Sequence, residues 1–283
     1  MFGFLNVYKP QGKTSHDIVA ILRRVTKIKQ IGHTGTLDPF AEGVLPICIG
    51  KATRLIEYLE DDKAYVGTIQ FGKSTTTYDI EGEGINCSDK KITKEEIENA
   101  LKQFRGEIEQ LPPIYSAIKV KGKKLYEYAR QGEEIEIKPR KVNIYKLDIV
   151  NFNYENQTLE LYIECSKGTY IRSIANDLGE ALGCFGHLIK LVRTKAGKFE
   201  VKEAIHLNKL ETIEQVSQKL IYPLEYLNYP KYELNIQEKD RVSHGMHIQT
   251  TLENGIAILT FQNKVIAIAN VENKIAKISK VFI

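Results

Sequence analysis

The stretch Gly32-His33-Thr34-Gly35-Thr36-Leu37-Asp38-Pro39 carries two glycines, two threonines, a histidine and a carboxylate within eight residues. Glycine and proline at this density break both a helix and a central strand, so the stretch is predicted to be a loop. Asp38 directly precedes the proline, which pushes its backbone towards an extended or turn conformation. Leu37 is expected to anchor the loop in the core. A carboxylate held in this way is either a catalytic group or a turn residue that caps the next element, and the loop alone leaves both interpretations open.

The segments around this loop have the periodicities of alternating strands and helices. Strands are predicted at 4–8, 44–49, 64–71, 142–152, 158–165 and 187–194. Helices are predicted at 15–25, 50–59, 93–104, 170–182 and 207–220, the first of them capped by Thr14. This order of elements predicts an α+β fold, in which helices pack against a mixed, mainly antiparallel sheet and the site lies in a cleft across it. After Pro230 the short alternating segments predict a small all-β unit.

Composition excludes several classes of function. The chain has 283 residues, 42% hydrophobic and 27% charged, and a formal net charge of +4, which is typical of a globular protein. The four scattered cysteines match no zinc or redox motif, and the N-terminal residues do not have the pattern of a signal peptide. The glycines at 43–50 and 82–84 lack the spacing of a phosphate loop or a dinucleotide fingerprint. We therefore expect a cytoplasmic protein with no cofactor, no metal and no membrane association.

The segment 119–146 has the most unusual composition in the chain. It carries nine basic residues against four acidic ones, a local net charge of +5 compared with +4 for the whole chain. Tyr115, Tyr126, Tyr128 and Tyr145 lie among or beside these charges. Cations can contact phosphates and flat rings can stack on bases, so the segment is predicted to bind nucleic acid, with a solvated lysine-rich loop as the alternative.

Four motifs, taken together, resemble one known family. They are residues 9–15 (Lys-Pro-Gln-Gly-Lys-Thr-Ser), 32–46 around the opening loop, 112–130 from Pro-Pro-Ile-Tyr-Ser-Ala onwards, and 165–172 (Cys-Ser-Lys-Gly-Thr-Tyr-Ile-Arg). In this order and spacing they resemble the bacterial tRNA pseudouridine synthases of the TruB type over nearly all of residues 1–230. The resemblance implies a catalytic domain over 1–230, with an RNA-gripping insertion at about 112–146. It also implies a small β-rich PUA-like RNA-binding domain at 231–283.

The resemblance also implies a reaction. Members of the family isomerise the uridine at position 55 in the TψC loop of tRNA to pseudouridine, without a cofactor or metal. Asp38 matches the family's catalytic carboxylate. A carboxylate beside an anomeric carbon can stabilise developing positive charge or attack covalently, as in glycosidases. Whether Asp38 attacks the sugar or the base is left open. The expected partner is the TψC stem-loop of tRNA, and the expected state is a monomer.

Further roles follow from positions that match the family. Tyr65 matches the tyrosine that stacks on the target uracil, and Arg172 the arginine that pairs with the catalytic aspartate. The other matched positions are a pocket residue at Tyr170, a residue holding the flipped-out nucleotide at His33, and active-site residues at Lys9 and Leu191. The expected RNA-binding residues of the insertion are Lys119, Lys121, Lys123, Lys124 and Arg130. One departure is Thr76, where the family commonly has an aspartate.

Three alternatives to this enzyme make different demands on the sequence. A tRNA-binding folding helper without catalysis would not need Asp38, Tyr65 and Arg172 together. A nucleotidyl-transferring enzyme that uses residues 32–35 as a phosphate loop would need a cluster of metal-binding acids, which the sequence lacks. A guide-RNA-dependent relative would carry longer terminal extensions. The stand-alone enzyme is therefore the main prediction.

Overall fold

The computed structural model describes residues 1–133 and 135–282, and for Arg130 the backbone alone. The strands are β1 (Gly3–Lys9), β2 (Ile31–His33), β3 (Glu42–Ile49), β4 (Lys63–Phe71), β5 (Lys73–Thr75), β6 (Gly84–Cys87), β7 (Gly106–Gln110), β8 (Lys119–Val120), β9 (Lys123–Lys124), β10 (Arg140–Asn153), β11 (Thr158–Cys165), β12 (Gly186–Ala196), β13 (Phe199–Glu200), β14 (Ile205–His206), β15 (Lys231–Glu233), β16 (Ile248–Gln249), β17 (Gly255–Phe261), β18 (Lys264–Glu272) and β19 (Ile275–Val281). The α-helices are α1 (Ser15–Thr26), α2 (Lys94–Leu101), α3 (Leu125–Gln131), α4 (Ile171–Ala181), α5 (Ile213–Gln218) and α6 (Ile236–Ser243). Short 3₁₀ helices span Gly50–Tyr58, Lys102–Phe104, Val201–Glu203, Leu207–Lys209 and Pro223–Glu225.

One large sheet organises the molecule. Its strands follow the order β14-β1-β3-β12-β4-β11-β10-β7, with β2 paired to β3 and β13 paired to β12. The neighbours are antiparallel except for the pairs β1–β14 and β3–β12, which are parallel. The predicted mixed, mainly antiparallel sheet is confirmed. Strand β4 lies inside this sheet, hydrogen-bonded to β11 along one edge and to β12 along the other.

The helices bury the apolar faces that their periodicity predicts. Thr14 caps α1 in a reciprocal capping box with Asp17, and Ile18 and Leu22 are fully buried in a core cluster with residues of β1 and β3. On α4, Ile174 and Leu178 join a second core cluster that includes residues of β4, β12 and α2. These two clusters fix the starts of α1 and α4, which both lie beside the opening loop in space.

The C-terminal unit is β-rich, as expected, but it also contains a helix, so the stricter all-β prediction for it was wrong. Its five strands follow the order β15-β17-β18-β19-β16, and α6 packs against them. Asn235 caps α6 and Glu238 completes the capping box, a pattern that competes with strand formation and was overlooked in the sequence. Residues of this unit, including Ile258 and Phe282, share a core cluster with Phe4 and Val44 of the large sheet.

Three other local predictions need correction. Residues 207–220 form a 3₁₀ turn followed by α5, because Thr212 caps a new helix through Gln215 and interrupts the expected one. The helix predicted at 50–59 is a 3₁₀ helix. Gly32 and His33 belong to β2, which pairs with β3, so the loop is confined to residues 34–41. In the described residues, no helix is long and apolar enough to span a bilayer.

Candidate active site

The loop 34–41 borders a cleft of about 580 Å³, a volume in the range of ligand pockets. Five of the residues singled out in the sequence line this cleft, although they come from four distant parts of the chain: Asp38, Tyr65, Tyr170, Arg172 and Leu191. Asp38 comes from the loop, Tyr65 from β4, Leu191 from β12, and Tyr170 and Arg172 from the start of α4. The topology of the large sheet therefore brings the predicted residues together.

Two buried side chains, those of Ser15 and Arg193, hold the backbone of the loop through hydrogen bonds. The Ser15 hydroxyl accepts a hydrogen bond from the Leu37 N–H at 2.8 Å and donates one to the Leu37 carbonyl at 3.2 Å. The guanidinium of Arg193, which is 0% exposed, donates to the carbonyls of Gly35 (3.1 Å), Thr36 (3.3 Å) and Val44 (2.7 Å). Leu37 itself is buried, as predicted. Asp38 therefore stands on a loop whose conformation is held by buried partners.

Asp38 faces Arg172 in a two-pronged ion pair. Nε of Arg172 lies 3.0 Å from Oδ2 of Asp38, and Nη2 donates to Oδ1 at 3.3 Å. The Arg172 side chain is 5% exposed, whereas that of Asp38 is 34% exposed, towards the cleft. The guanidinium also donates to the carbonyls of Thr77 and Tyr115, both at 3.1 Å. The carboxylate is therefore the member of the pair that a substrate can reach.

A second carboxylate, Asp79, completes this arrangement. Its Oδ2 lies 3.3 Å from Nη1 of Arg172, and its side chain is 3% exposed. The other oxygen accepts from the Thr77 hydroxyl at 2.5 Å and from the Glu81 N–H at 3.0 Å. Asp79 is a site residue that the sequence did not predict. The hydroxyl of Thr76, the departure from the family pattern, accepts from the Glu83 N–H and holds the turn between β5 and β6.

The protonation of Asp38 depends on opposing influences. Burial raises the pKa of its carboxyl above the ordinary value, and the neighbouring Asp79 acts in the same direction, whereas the cations Arg172 and Lys9 oppose them. A carboxylate in such a setting, partly withdrawn from water and oriented by a guanidinium, can act as a nucleophile or stabilise a developing cation.

The aromatic rings of Tyr65 and Tyr170 line the cleft. Burial raises the pKa of Tyr65 to about 12, against the influence of the Arg193 guanidinium beside its hydroxyl. Tyr170 is held by Gln110 at the end of β7: the Gln110 side chain accepts from the Tyr170 N–H at 2.7 Å and donates to its carbonyl at 2.9 Å. Gln110 and Arg193 were not predicted from the sequence, since neither belongs to a motif with a known spacing.

Lys9 and His33 do not line the cleft but adjoin its loop. Lys9 is 0% exposed, and its ammonium donates to the carbonyls of Pro10, Lys13 and Pro39. Burial lowers the pKa of Lys9 to about 8, although Asp38 opposes this effect. His33 ends β2, and burial together with Arg193 lowers its pKa.

Lys9→Met is expected to change the pH dependence of stability in the alkaline range. The pKa of Lys9 is about 8 in the folded protein and about 10.4 in an unfolded chain. The unfolded state thus binds more protons between these values, and Lys9 makes the free energy of unfolding rise with pH there. Denaturant titrations from pH 7 to 10.5 should show this extra rise in the wild type and its absence in Lys9→Met. Parallel curves for the two proteins would contradict the assignment.

The insertion between β7 and β10 has a small fold of its own. Strands β8 and β9 form a hairpin, with α3 after it. Lys123 makes contacts within this insertion: its ammonium lies 3.0 Å from the carboxylate of Glu133 and 4.4 Å from the ring centre of Tyr128. Lys124 lies over the ring of Tyr126, whereas Lys119 and Lys121 are exposed. The side chain of Arg130 lies outside the described part of the structure.

The chain matches the sequences of a known protein family. Residues 23–171 match the model of the TruB family pseudouridylate synthase N-terminal domain, and residues 172–227 match that of the tRNA pseudouridylate synthase B C-terminal domain. The chain is 43% identical over 262 residues to the tRNA pseudouridine synthase B of Caldanaerobacter subterraneus, covering 91% of this chain and 90% of that protein. It is 47% identical over 232 residues to the protein of the same name from Listeria monocytogenes, covering 80% and 76%.

Solved structures share the fold. A Cbf5-Nop10-Gar1 complex contains a chain that superimposes with a TM-score of 0.74 at 24% identity, covering all of this chain and 85% of that one. A chain in an H/ACA RNP bound to a substrate RNA superimposes with a TM-score of 0.73 at 22% identity, covering 100% and 85%. The pseudouridine synthase fold predicted from the motifs is thereby confirmed.

Proposed function

Because this chain belongs to the TruB family of pseudouridylate synthases, we propose that it converts the uridine at position 55 of tRNA to pseudouridine, with Asp38 as the catalytic carboxylate. The observation that carries the proposal is the ion pair between Arg172 and Asp38 at the wall of a nucleotide-sized cleft. A tRNA-modifying enzyme acts where tRNA matures, so a cytoplasmic location is part of the proposal.

The proposed reaction exchanges one glycosidic bond for another. The bond between C1′ and N1 breaks, the uracil turns, C5 bonds to C1′, the proton on C5 leaves for solvent, and N1 takes up a proton. Asp38 either attacks covalently or stabilises the positive charge that develops as the first bond breaks. Arg172 orients this carboxylate and favours its ionised form through its charge. The product keeps every atom of the uridine except the exchanged proton.

The remaining predicted residues take supporting roles in this proposal. Tyr65 provides the ring on which the uracil stacks, and Tyr170 and Leu191 form the other walls of the nucleotide pocket. Lys9 holds the loop through its hydrogen bond to the carbonyl of Pro39. His33 lies at the end of β2, where it can hold the nucleotide flipped out of the RNA. Asp79 shares Arg172 with Asp38 and fixes the guanidinium from its far side.

The direct test is to map pseudouridine in tRNA from cells with and without this protein. We expect the modification at position 55 to disappear when the gene is deleted, and to return with the wild-type protein. The purified protein should also release tritium from a TψC stem-loop that contains 5-³H-uridine. Pseudouridine at position 55 in the deletion strain, with no tritium release by the purified protein, would contradict the proposal.

The insertion is proposed to grip the RNA through its exposed lysines. Lys119→Ala and Lys121→Ala should each weaken tRNA binding and lower the slope of log K against log[salt] by about 1, because one fewer counterion is released. Lys123→Ala should lower the slope less, since Glu133 already neutralises its charge. Lys94→Ala, which removes an exposed lysine from α2, is the matched control. Equal slopes for Lys121→Ala and Lys94→Ala would remove this role.

The C-terminal unit is the remaining part of the proposal. The family models end at residue 227, shortly before β15 begins. We keep residues 1–230 as the catalytic domain and 231–283 as a small PUA-like RNA-binding domain. Its shared core with Phe4 and Val44 would fix it relative to the catalytic sheet.

A further inference from the structure

Lys63 is a cation in the cleft to which the proposed reaction gives no task. It is the first residue of β4 and lines the cleft together with Asp38 and Tyr65. Side chains alternate along a strand, so Lys63 and Tyr65 share one face, and their Cα atoms are separated by about 6.6 Å. This spacing is comparable to the distance from a base to the phosphates of its own nucleotide.

The surroundings of Lys63 balance its charge only in part, through the charges of Asp61 and Asp62. The ammonium donates to the carbonyl of Asp61 at 2.8 Å. The nearby carboxylates are engaged elsewhere: that of Asp61 pairs with Lys167 at 2.7 Å, and that of Asp62 accepts from the Tyr145 hydroxyl at 3.2 Å. Within residues 1–133 and 135–282, no carboxylate forms an ion pair with Lys63. Burying such a cation is unfavourable unless an anion joins it.

A second cation lies next to it. A Cβ atom at Gly35 would be 3.3 Å from Cε of Lys63 and 3.7 Å from Nη1 of Arg193, so the two basic side chains flank the same glycine. Burial lowers the pKa of Lys63 and the charge of Arg193 lowers it further, whereas the carboxylates of Asp61 and Asp62 act in the opposite direction. An anion bound at this point would offset the effects of burial and of Arg193. Arg193 is fully buried and committed to backbone carbonyls, which leaves Lys63 as the cation that a ligand can reach.

The cleft leaves room for a ligand backbone at Gly168. Gly168 and Thr169 line the cleft together with Lys63. Gly168 has φ +82°, and no atom lies within 4 Å of the position that a Cβ would occupy there. The cleft is therefore open at Gly168, which lines it together with Lys63.

We propose that Lys63 binds a phosphodiester group of the target nucleotide while the base stacks on Tyr65. This inference rests on the proposed function, because the anion is a linkage of the RNA substrate. A lysine suits the task, since its ammonium binds phosphate as a point charge without fixed orientation. The linkage is the one on the 5′ or the 3′ side of the target uridine. Base and backbone would then be held by the same strand, with Asp38 facing the sugar between them.

The test combines a protein variant with a change in the RNA. TψC stem-loops are made with a single uncharged methylphosphonate linkage on the 5′ side, on the 3′ side, or two nucleotides away. Binding constants and single-turnover rates are measured for the wild type, Lys63→Met, Lys63→Arg and the control Lys94→Met. Thermal unfolding of each variant confirms that it is folded. The two flanking methylphosphonates distinguish the two possible linkages.

We expect Lys63→Met to bind the natural stem-loop about tenfold more weakly, and to lower the salt slope by about 1. One flanking methylphosphonate should weaken the wild type by a similar factor and have no further effect on Lys63→Met. Lys63→Arg should retain the sensitivity to that linkage, and Lys94→Met should behave as the wild type. A loss in Lys63→Met that is the same for every RNA, or no loss at all, would overturn the proposal. If the wild type binds the RNA but forms no pseudouridine, the proposed function fails while the Lys63 contact is still decided by binding.

Discussion

Asp38→Asn is expected to reduce pseudouridine formation by at least about 10⁴-fold, because the amide can neither attack nor stabilise a cation as a carboxylate does. The substitution preserves the shape of the side chain, and Leu37 and the loop remain held by Ser15 and Arg193. Binding of tRNA should therefore stay within a few-fold of the wild type. Tritium release from 5-³H-uridine and filter binding of the same stem-loop measure the two properties separately.

The control for this variant is Asp148→Asn, which removes an exposed carboxylate of β10 that pairs with Lys146. It should leave the rate unchanged. Full activity in Asp38→Asn would eliminate the catalytic assignment. A variant that binds tRNA normally without catalysis would also measure how much an RNA-folding activity contributes on its own.

Arg172→Gln is expected to lower kcat/KM at neutral pH by at least about 100-fold and to destabilise the fold by about 3–5 kcal/mol, as for the loss of one partner from a buried ion pair. The variant leaves Asp79, which is 2% exposed, without its cation. It also removes the charge that opposes the rise in the pKa of Asp38. That pKa should move still higher, so the ionised carboxylate is lost at a higher pH than in the wild type.

The measurement is the pH profile of kcat/KM, whose acid limb reports the ionisation of groups in the free enzyme. The acid limb of Arg172→Gln should lie at higher pH than that of the wild type, and part of the activity should return as the pH rises. Arg172→Lys keeps the charge but loses the planar fork, so its acid limb should stay nearer to that of the wild type despite a reduced rate. Identical acid limbs in all three proteins would show that Arg172 does not control Asp38.

The sequence predicted the fold where local and long-range preferences agree. The spacing of Ile18 and Leu22 and the cap at Thr14 define α1 without knowledge of the rest of the chain. Helix α6 of the C-terminal unit was missed because the strands around it alternate strongly. The helix is short, and its only sequence signal is the capping box of Asn235 and Glu238. Gly32 was assigned to a loop because glycine disfavours strands, but pairing with β3 overrides that preference.

The partners of the site residues could not be predicted from patterns in the sequence. Asp79 and Arg172 are 93 positions apart in the chain, and only the fold brings Oδ2 of Asp79 to 3.3 Å from Nη1 of Arg172. Arg193 looks like one more charged residue in an alternating strand, yet it is fully buried under the loop. The motifs predict residues that line the cleft, whereas the residues that orient them act through contacts that depend on the sheet.

The position of β4 has a consequence for the RNA. Its hydrogen bonds to β11 and β12 continue along nearly its whole length, so the strand that carries Lys63 and Tyr65 cannot shift without opening the core of the protein. Because β4 is held rigidly, any conformational change needed for binding must occur in the nucleic acid. Among substrates of equal affinity, turnover should therefore follow how easily the uridine leaves its own stack, and loops loosened by a mismatch should react faster than well-ordered ones.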